Sequence, residues 1–211
     1  MEALTWIIVR AWQLAVRSQP ESFSTSFMIR RRLLTRDISA ALLRCRKFST
    51  AEEVNKTNAI MIFGSSTDVG KTIISAGILQ SALQSGYTSC YLKPVQTGDM
   101  DEYFVQLYTN PRGTSDITLR TIYHWSTAKS PHIAASLNEH IPPPSDNEIL
   151  KSIRREMRFF YENPTVKQKL LVLETAGGVL SPSPSKTLQA DVYRPLRLPV
   201  VLIGDGKLGG K

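Results

Sequence analysis

An α/β fold, a parallel sheet with helices on both faces, is what the 211-residue sequence predicts, and three observations carry the prediction. Short continuous apolar runs recur along the chain, as they do where parallel strands are buried on both faces. The first run opens directly into Gly64-Ser65-Ser66-Thr67-Asp68-Val69-Gly70-Lys71-Thr72 and then into a helix-like stretch from Ile73 to Leu83. Strand, glycine-bounded loop and helix start, in that order, mark a phosphate-binding loop. Finally, the runs end in polar residues, where open parallel sheets bind their ligands.

Residues 1–50 stand apart from this pattern. They hold nine Lys/Arg and three Asp/Glu, whereas residues 51–211 hold seventeen and fifteen. The formal net charge of +8 therefore belongs mostly to the leader, and a near-neutral body removes the case for nucleic-acid binding through a basic surface. Arg30-Arg31-Arg32, Arg36, Arg44, Arg46 and Lys47 alternate with Ile29, Leu33, Leu34, Ile38, Leu42 and Leu43. An arginine-rich, acid-poor amphipathic leader of this kind is a mitochondrial transit signature, so the chain divides into a leader at 1–50 and a domain at 51–211 destined for the matrix. Met28 could open the same leader on its own. Leu4 to Val16 is interrupted by Arg10 and is too short to cross a bilayer, so no membrane partner is expected. Cys45 and Cys90 offer neither a disulfide framework nor a zinc spacing.

Within the domain, Ala59 to Phe63 reads as the first strand and Thr72 to Gln84 as the helix after the loop, stopped by Gly86. Thr88 to Leu92 is the second strand, completing a βαβ unit. The stretch Gly98 to Pro144, with Pro111-Arg112-Gly113 and three consecutive prolines at 142–144, reads as irregular. Asp146 is placed to cap a helix that turns Ile149, Ile153, Met157 and Phe160 onto one face. Leu170 to Leu173 and Pro199 to Ile203 are the third and fourth strands. Because the chain stops just after the fourth, the sheet is expected to be incomplete at the C-terminus, with an open and poorly stable edge.

The loop makes the fold P-loop NTPase-like. Its glycines let backbone N–H groups converge on phosphate oxygens, Lys71 adds a point charge, and Thr72 offers a hydroxyl to Mg²⁺, so ATP and Mg²⁺ are the expected cofactors. Five residues, not the usual four, separate Gly64 from Gly70, which points to a subclass with a longer loop. Two further strand ends bear on chemistry. Lys93-Pro94-Val95-Gln96-Thr97-Gly98 follows the second strand, a lysine at the sheet edge with its direction fixed by a Pro94 turn. Glu174-Thr175-Ala176-Gly177-Gly178 follows the third, a carboxylate placed to hold Mg²⁺ beside the loop.

Together with Ser130-Pro131-His132-Ile133 and Lys207-Leu208-Gly209, these segments resemble dethiobiotin synthetase over residues 58–211. The stretch from Glu174 to Gly210 looks like the eukaryotic form, in which the synthetase is the N-terminal part of a mitochondrial protein fused to diaminopelargonic acid aminotransferase. The resemblance implies ATP- and Mg²⁺-dependent carboxylation and ring closure of 7,8-diaminononanoate with CO2, in a homodimer. It implies phosphate binding by residues Gly64 to Thr72 and catalytic roles for Lys71, Lys93 and Thr67. Metal binding would fall to Thr72, Glu174 and one aspartate after Lys93, where Asp101 fits best and Asp99 and Asp116 are rivals. Thr97, Gly98, Ser130, Pro131 and His132 would line the substrate site. Competing readings are a partitioning ATPase, which usually has a second lysine where this loop has Ser65 and Ser66, a cobyrinate amidase, and a nucleotide-binding module without catalysis.

Overall fold

The computed structural model describes residues 58–109, 116–137, 142–162 and 168–204. The arginine-rich leader, the Pro111-Arg112-Gly113 segment and the glycine-rich stretch from Asp205 onward lie outside them.

Strand β1 (Ala59–Gly64) leads through the loop into helix α1 (Lys71–Gln84), and β2 (Thr88–Thr97) follows. Next come α2 (Asp101–Thr109), β3 (Ile117–Trp125), α3 (Pro131–Ser136) and α4 (Asp146–Glu162). The order closes with β4 (Lys169–Glu174), the one-turn helix α5 (Gln189–Tyr193), a 3₁₀ turn at Arg194–Leu196, and β5 (Val200–Ile203). The five strands form one sheet in the order β3-β2-β4-β1-β5, with every neighbouring pair parallel. Expected strands and helices all appear, and helices cover both faces as the apolar runs required.

Alternation along the strands decides which residue meets which helix. Ala59, Met61, Phe63, Cys90, Leu92, Leu171 and Leu173 share a cluster with Ile149, Ile153 and Phe160 of α4 and with Val192 and Tyr193 of α5. The intervening positions, Ile60, Ile62, Tyr91, Val172 and then Lys93 and Glu174, belong to the opposite face, where α1 lies. All six are buried, and all but the two charged residues are apolar or aromatic. Thus the strands that build the core also deliver two charges to the face holding the phosphate loop.

Three expectations are corrected. Strand β2 runs on to Thr97, so Lys93 sits inside it and not in a turn at the sheet edge; the strand is flanked by β3 and β4. Pro94 is tolerated there because pairing with β4 ends at Leu92, and a missing N–H just beyond costs no ladder bond on that side. The stretch read as irregular holds α2, β3 and α3. Ile117-Thr-Leu-Arg-Thr-Ile-Tyr-His-Trp125 is rich in β-branched and aromatic residues, and none of its positions is fully buried while Arg120 and His124 are exposed, as suits an edge strand. Helix α4 is capped by Ser145, one residue earlier than expected. The Ser145 backbone N–H and hydroxyl donate to the Glu148 carboxylate at 2.8 and 2.7 Å, and the Ser145 hydroxyl accepts from the Glu148 N–H at 3.3 Å. This is a capping box, and Asp146 instead accepts from the Ser185 hydroxyl. At the other end of the same helix, the buried Lys169 ammonium donates to the Phe160 and Tyr161 carbonyls, both at 3.0 Å.

Candidate active site

The phosphate loop owes its shape to two left-handed residues, Asp68 at φ 58° and Gly70 at φ 93°. Asp is among the few side chains that tolerate this region, and glycine occupies it without strain. The Ile74 N–H donates to the Gly70 carbonyl at 3.1 Å, which starts α1 directly at the loop's end. No acidic residue lies in the first turn of α1, so its positive end faces the loop unneutralised. Ser65, Ser66, Thr67 and Asp68 are exposed, while Val69 is buried and anchors the loop from below. Lys71 folds back over the loop and donates to the Ser66 carbonyl at 3.0 Å. Burial, and then the nearby Lys93 ammonium, lower its pKa from the ordinary lysine value.

The loop after β4 packs against the phosphate loop. The Val179 N–H donates to the Gly64 carbonyl at 2.8 Å, and the Ser181 hydroxyl accepts from the Gly178 N–H at 2.9 Å. Gly178 has no room for a side chain: a Cβ there would stand 2.8 Å from the Ser65 carbonyl oxygen and 3.2 Å from the Ser66 Cα.

Between these two loops and α2, five side chains converge. The Glu174 carboxylate is fully buried at the last residue of β4. One of its oxygens, Oε1, accepts from the Thr72 hydroxyl at 2.9 Å and from the Lys93 ammonium at 2.7 Å. The other, Oε2, accepts from the Ser75 hydroxyl at 2.7 Å. Asp101, the first residue of α2, brings Oδ2 to 2.5 Å from Lys93 Nζ and 3.3 Å from the Thr72 hydroxyl. Burial opposes the charge on Lys93, but Glu174 and Asp101 outweigh it and raise its pKa above the ordinary lysine value. The ammonium is therefore charged at neutral pH.

Two carboxylates and one hydroxyl at the edge of a phosphate loop are a hard-oxygen donor set. Among the described residues no cluster of three or more His, Cys, Asp and Glu exists that could hold a metal unaided. That donor set fits Mg²⁺, which takes one or two carboxylates and completes its shell with phosphate oxygens and water.

A family model described as an AAA domain matches residues 58–210, most of the chain. The chain belongs to this family. The phosphate loop and the parallel sheet that carries it lie within the matched residues. Among its relatives is a bifunctional dethiobiotin synthetase/adenosylmethionine-8-amino-7-oxononanoate aminotransferase of Emericella nidulans, 38% identical over 154 residues, covering 72% of this chain and 19% of that protein. A mitochondrial bifunctional dethiobiotin synthetase/7,8-diamino-pelargonic acid aminotransferase of Oryza sativa subsp. japonica is 36% identical, covering 72% of this chain and 24% of the relative. An ATP-dependent dethiobiotin synthetase of Brachyspira hyodysenteriae is 28% identical, covering 72% of this chain and 67% of the relative. The homologues are thus dethiobiotin synthetases, fused in the eukaryotes, and the chain aligns with the synthetase part. It spans about a fifth to a quarter of the length of the fused relatives.

Within this AAA-domain chain, the structure gathers Lys71, Thr72, Lys93, Asp101 and Glu174 into one cluster. Of the three aspartates weighed after Lys93, Asp101 is the one that joins it; among the described residues no hydrogen bond or ion pair ties Asp99 or Asp116 to Lys93, Thr72 or Glu174. Thr97 and Gly98 lie at the carboxyl end of β2, with the Gly98 N–H donating to the Trp125 carbonyl at 2.9 Å. Ser130, Pro131 and His132 open α3, with Pro131 buried at its first turn. No hydrogen bond or ion pair among the described residues ties those three to the cluster. Ser75 escaped sequence reading altogether. Its signal was its place one turn after Thr72 on the same face of α1, three residues on.

Proposed function

We propose that this chain catalyses the ATP- and Mg²⁺-dependent carboxylation and ring closure of 7,8-diaminononanoate with CO2 to dethiobiotin, in mitochondria. The observation that carries the reading is the placement of Lys93, Asp101 and Glu174 at the mouth of a phosphate loop whose relatives are named dethiobiotin synthetases. Two plant relatives bear a mitochondrial designation, which agrees with the arginine-rich leader. No helix among the described residues is long and apolar enough to cross a membrane.

The chemistry asks for three operations. One amine of the substrate attacks CO2 and loses a proton, giving a carbamate. A carbamate oxygen then attacks the γ-phosphorus of ATP, and ADP leaves. The second amine attacks the activated carbonyl carbon and expels phosphate, which closes the ring. Each stage accumulates negative charge on oxygen, so preorganised cations lower the barriers. Gly64 to Thr72 hold the triphosphate, Lys71 neutralises its terminal oxygens, and Thr67 and Asp68 border the substrate side of the loop. Lys93 supplies a positive charge for the carbamate and the phosphoryl oxygens, and Thr97 lies four residues further on, at the end of the same strand. Thr72, Asp101 and Glu174 would hold Mg²⁺, which supplies Lewis-acid charge to the phosphoryl group when bound. Thr97, Gly98, Ser130, Pro131 and His132 border the space where the diamine enters.

Purified chain assayed for ADP formation should respond to bicarbonate and diaminononanoate together, with the Oryza sativa relative assayed in parallel and Lys93→Ala as the inactive control. A preparation that binds ATP yet shows no diamine stimulation while the relative does would sink the assignment. That result would favour a nucleotide-binding module.

A further inference from the structure

The Lys93 ammonium and the expected divalent cation require the same two oxygen atoms. Lys93 Nζ contacts Asp101 Oδ2 and Glu174 Oε1, and these are also the two carboxylate oxygens that lie within 3.3 Å of the Thr72 hydroxyl. Resting on the metal assignment just made, we propose that Lys93 is an internal placeholder for the metal, released toward the anionic substrate when the divalent cation arrives.

Four features support the exchange. Glu174 is fully buried, and an ionised carboxylate there is strongly disfavoured without a counter-charge. Lys93 meets that need, since its side chain is 4% exposed and its ammonium bridges both acids. A divalent ion held by the same two oxygens would fall in the space from which the ammonium now bridges them, so the two cations compete for one position. A doubly charged ion at that position also repels the +1 charge beside it. The route in is open on one side, because the Asp101 side chain is 29% exposed. Finally, lysine can answer such a displacement. Its four-carbon stem lets the ammonium swing while the stem stays buried. The charge that neutralises the acids in the metal-free protein thereby becomes the charge that meets the carbamate and phosphoryl oxygens. Cation binding and alignment of Lys93 are then one event, which keeps the lysine withheld from anions until the metal is in place.

The test is Mn²⁺ binding by electron paramagnetic resonance to the nucleotide-free full chain, comparing wild type with Lys93→Met, an uncharged side chain of similar length. Lys93→Met should bind Mn²⁺ at least about tenfold more tightly than wild type, because it removes a competing unit charge from the same oxygens. Adding Glu174→Gln should abolish the gain. Equal affinity in wild type and Lys93→Met overturns the exchange while leaving the metal assignment standing. A gain that survives Glu174→Gln overturns the metal assignment on which the exchange rests. Should Lys93→Met fail to fold, wild-type protein answers the question by reductive methylation read by mass spectrometry. Lys93 should resist modification in chelator and become reactive with saturating Mg²⁺, and a reactivity indifferent to Mg²⁺ overturns the proposal. Neither measurement involves the diamine, so failure of the synthetase assay and failure of the exchange are separable.

Discussion

Gly178→Ala would place a methyl group against the backbone of the phosphate loop. Its Cβ would stand 2.8 Å from the Ser65 carbonyl oxygen and 3.2 Å from the Ser66 Cα. Ordinary van der Waals contact begins near 3.4 Å, so one backbone or the other must yield by roughly half an ångström, and forced overpacking of this kind costs about 1–3 kcal/mol. The loop after β4 is poorly placed to retreat, being tied by the Gly178 N–H to Ser181 and by the Val179 N–H to Gly64. The exposed run Ser65 to Asp68 is the softer side and should move. If that distortion must be undone to seat phosphates, about 1–3 kcal/mol becomes a roughly 5- to 150-fold loss of nucleotide affinity. Titration calorimetry with Mg·ATP measures it, alongside thermal melting of the nucleotide-free protein. Unchanged affinity together with a lowered melting temperature would show that the cost is borne elsewhere. Unchanged values for both would refute the steric reasoning.

Gly77→Ala is the opposite case: it lies exposed within α1, and an added Cβ would meet nothing within 4 Å, so alanine should stabilise the chain by about 0.5–1 kcal/mol in urea denaturation. Burial pushes the Cys90 thiol up to about 12 from 9.0, so the stability this adds is complete below pH 9 and declines as pH rises from 9 toward 12, where the unfolded chain alone releases the proton. Cys90→Ala should flatten that alkaline decline in denaturant melts, and native Cys90 should resist iodoacetamide at pH 8.5 while urea-unfolded chain reacts; equal labelling in both would contradict its burial.

Periodicity and loop chemistry made the sheet legible because its inner strands are buried on both faces and so read as unbroken apolar runs. Ala59–Gly64 and Lys169–Glu174 are the clearest cases. Strand β3 was hidden for the converse reason. As an edge strand it carries Arg120 and His124 among its exposed positions, and the proline- and glycine-bearing segment before it suggested irregular chain. Lys93 and Glu174 were legible as polar residues closing apolar runs. Their mutual contact was not, because it depends on the register that sets Leu92 opposite Leu173 and so brings the next residue of each strand together. Ser75 was missed for a similar reason: its place one turn after Thr72 gains meaning only once the strand beneath it presents a carboxylate. The capping residue of α4 was misread by one position because Ser145 and Asp146 are both good caps, and only Glu148, three residues after Ser145, distinguishes them.

The sheet order has a temporal side. Strand β1, which carries the phosphate loop, pairs with β4 and β5 and not with β2, its successor in the chain. During synthesis at about 5–20 residues per second, roughly a hundred residues separate the end of β1 from the start of β4, so its apolar edge waits on the order of 5–20 s for a partner. In that interval β2 and β3 can already pair, being adjacent in both sequence and space. The nascent chain should therefore acquire its nucleotide cradle late, when β4 inserts between β2 and β1 and β5 then covers the other edge of β1. Chaperone demand during translation would then fall on the residues that later grip the phosphates.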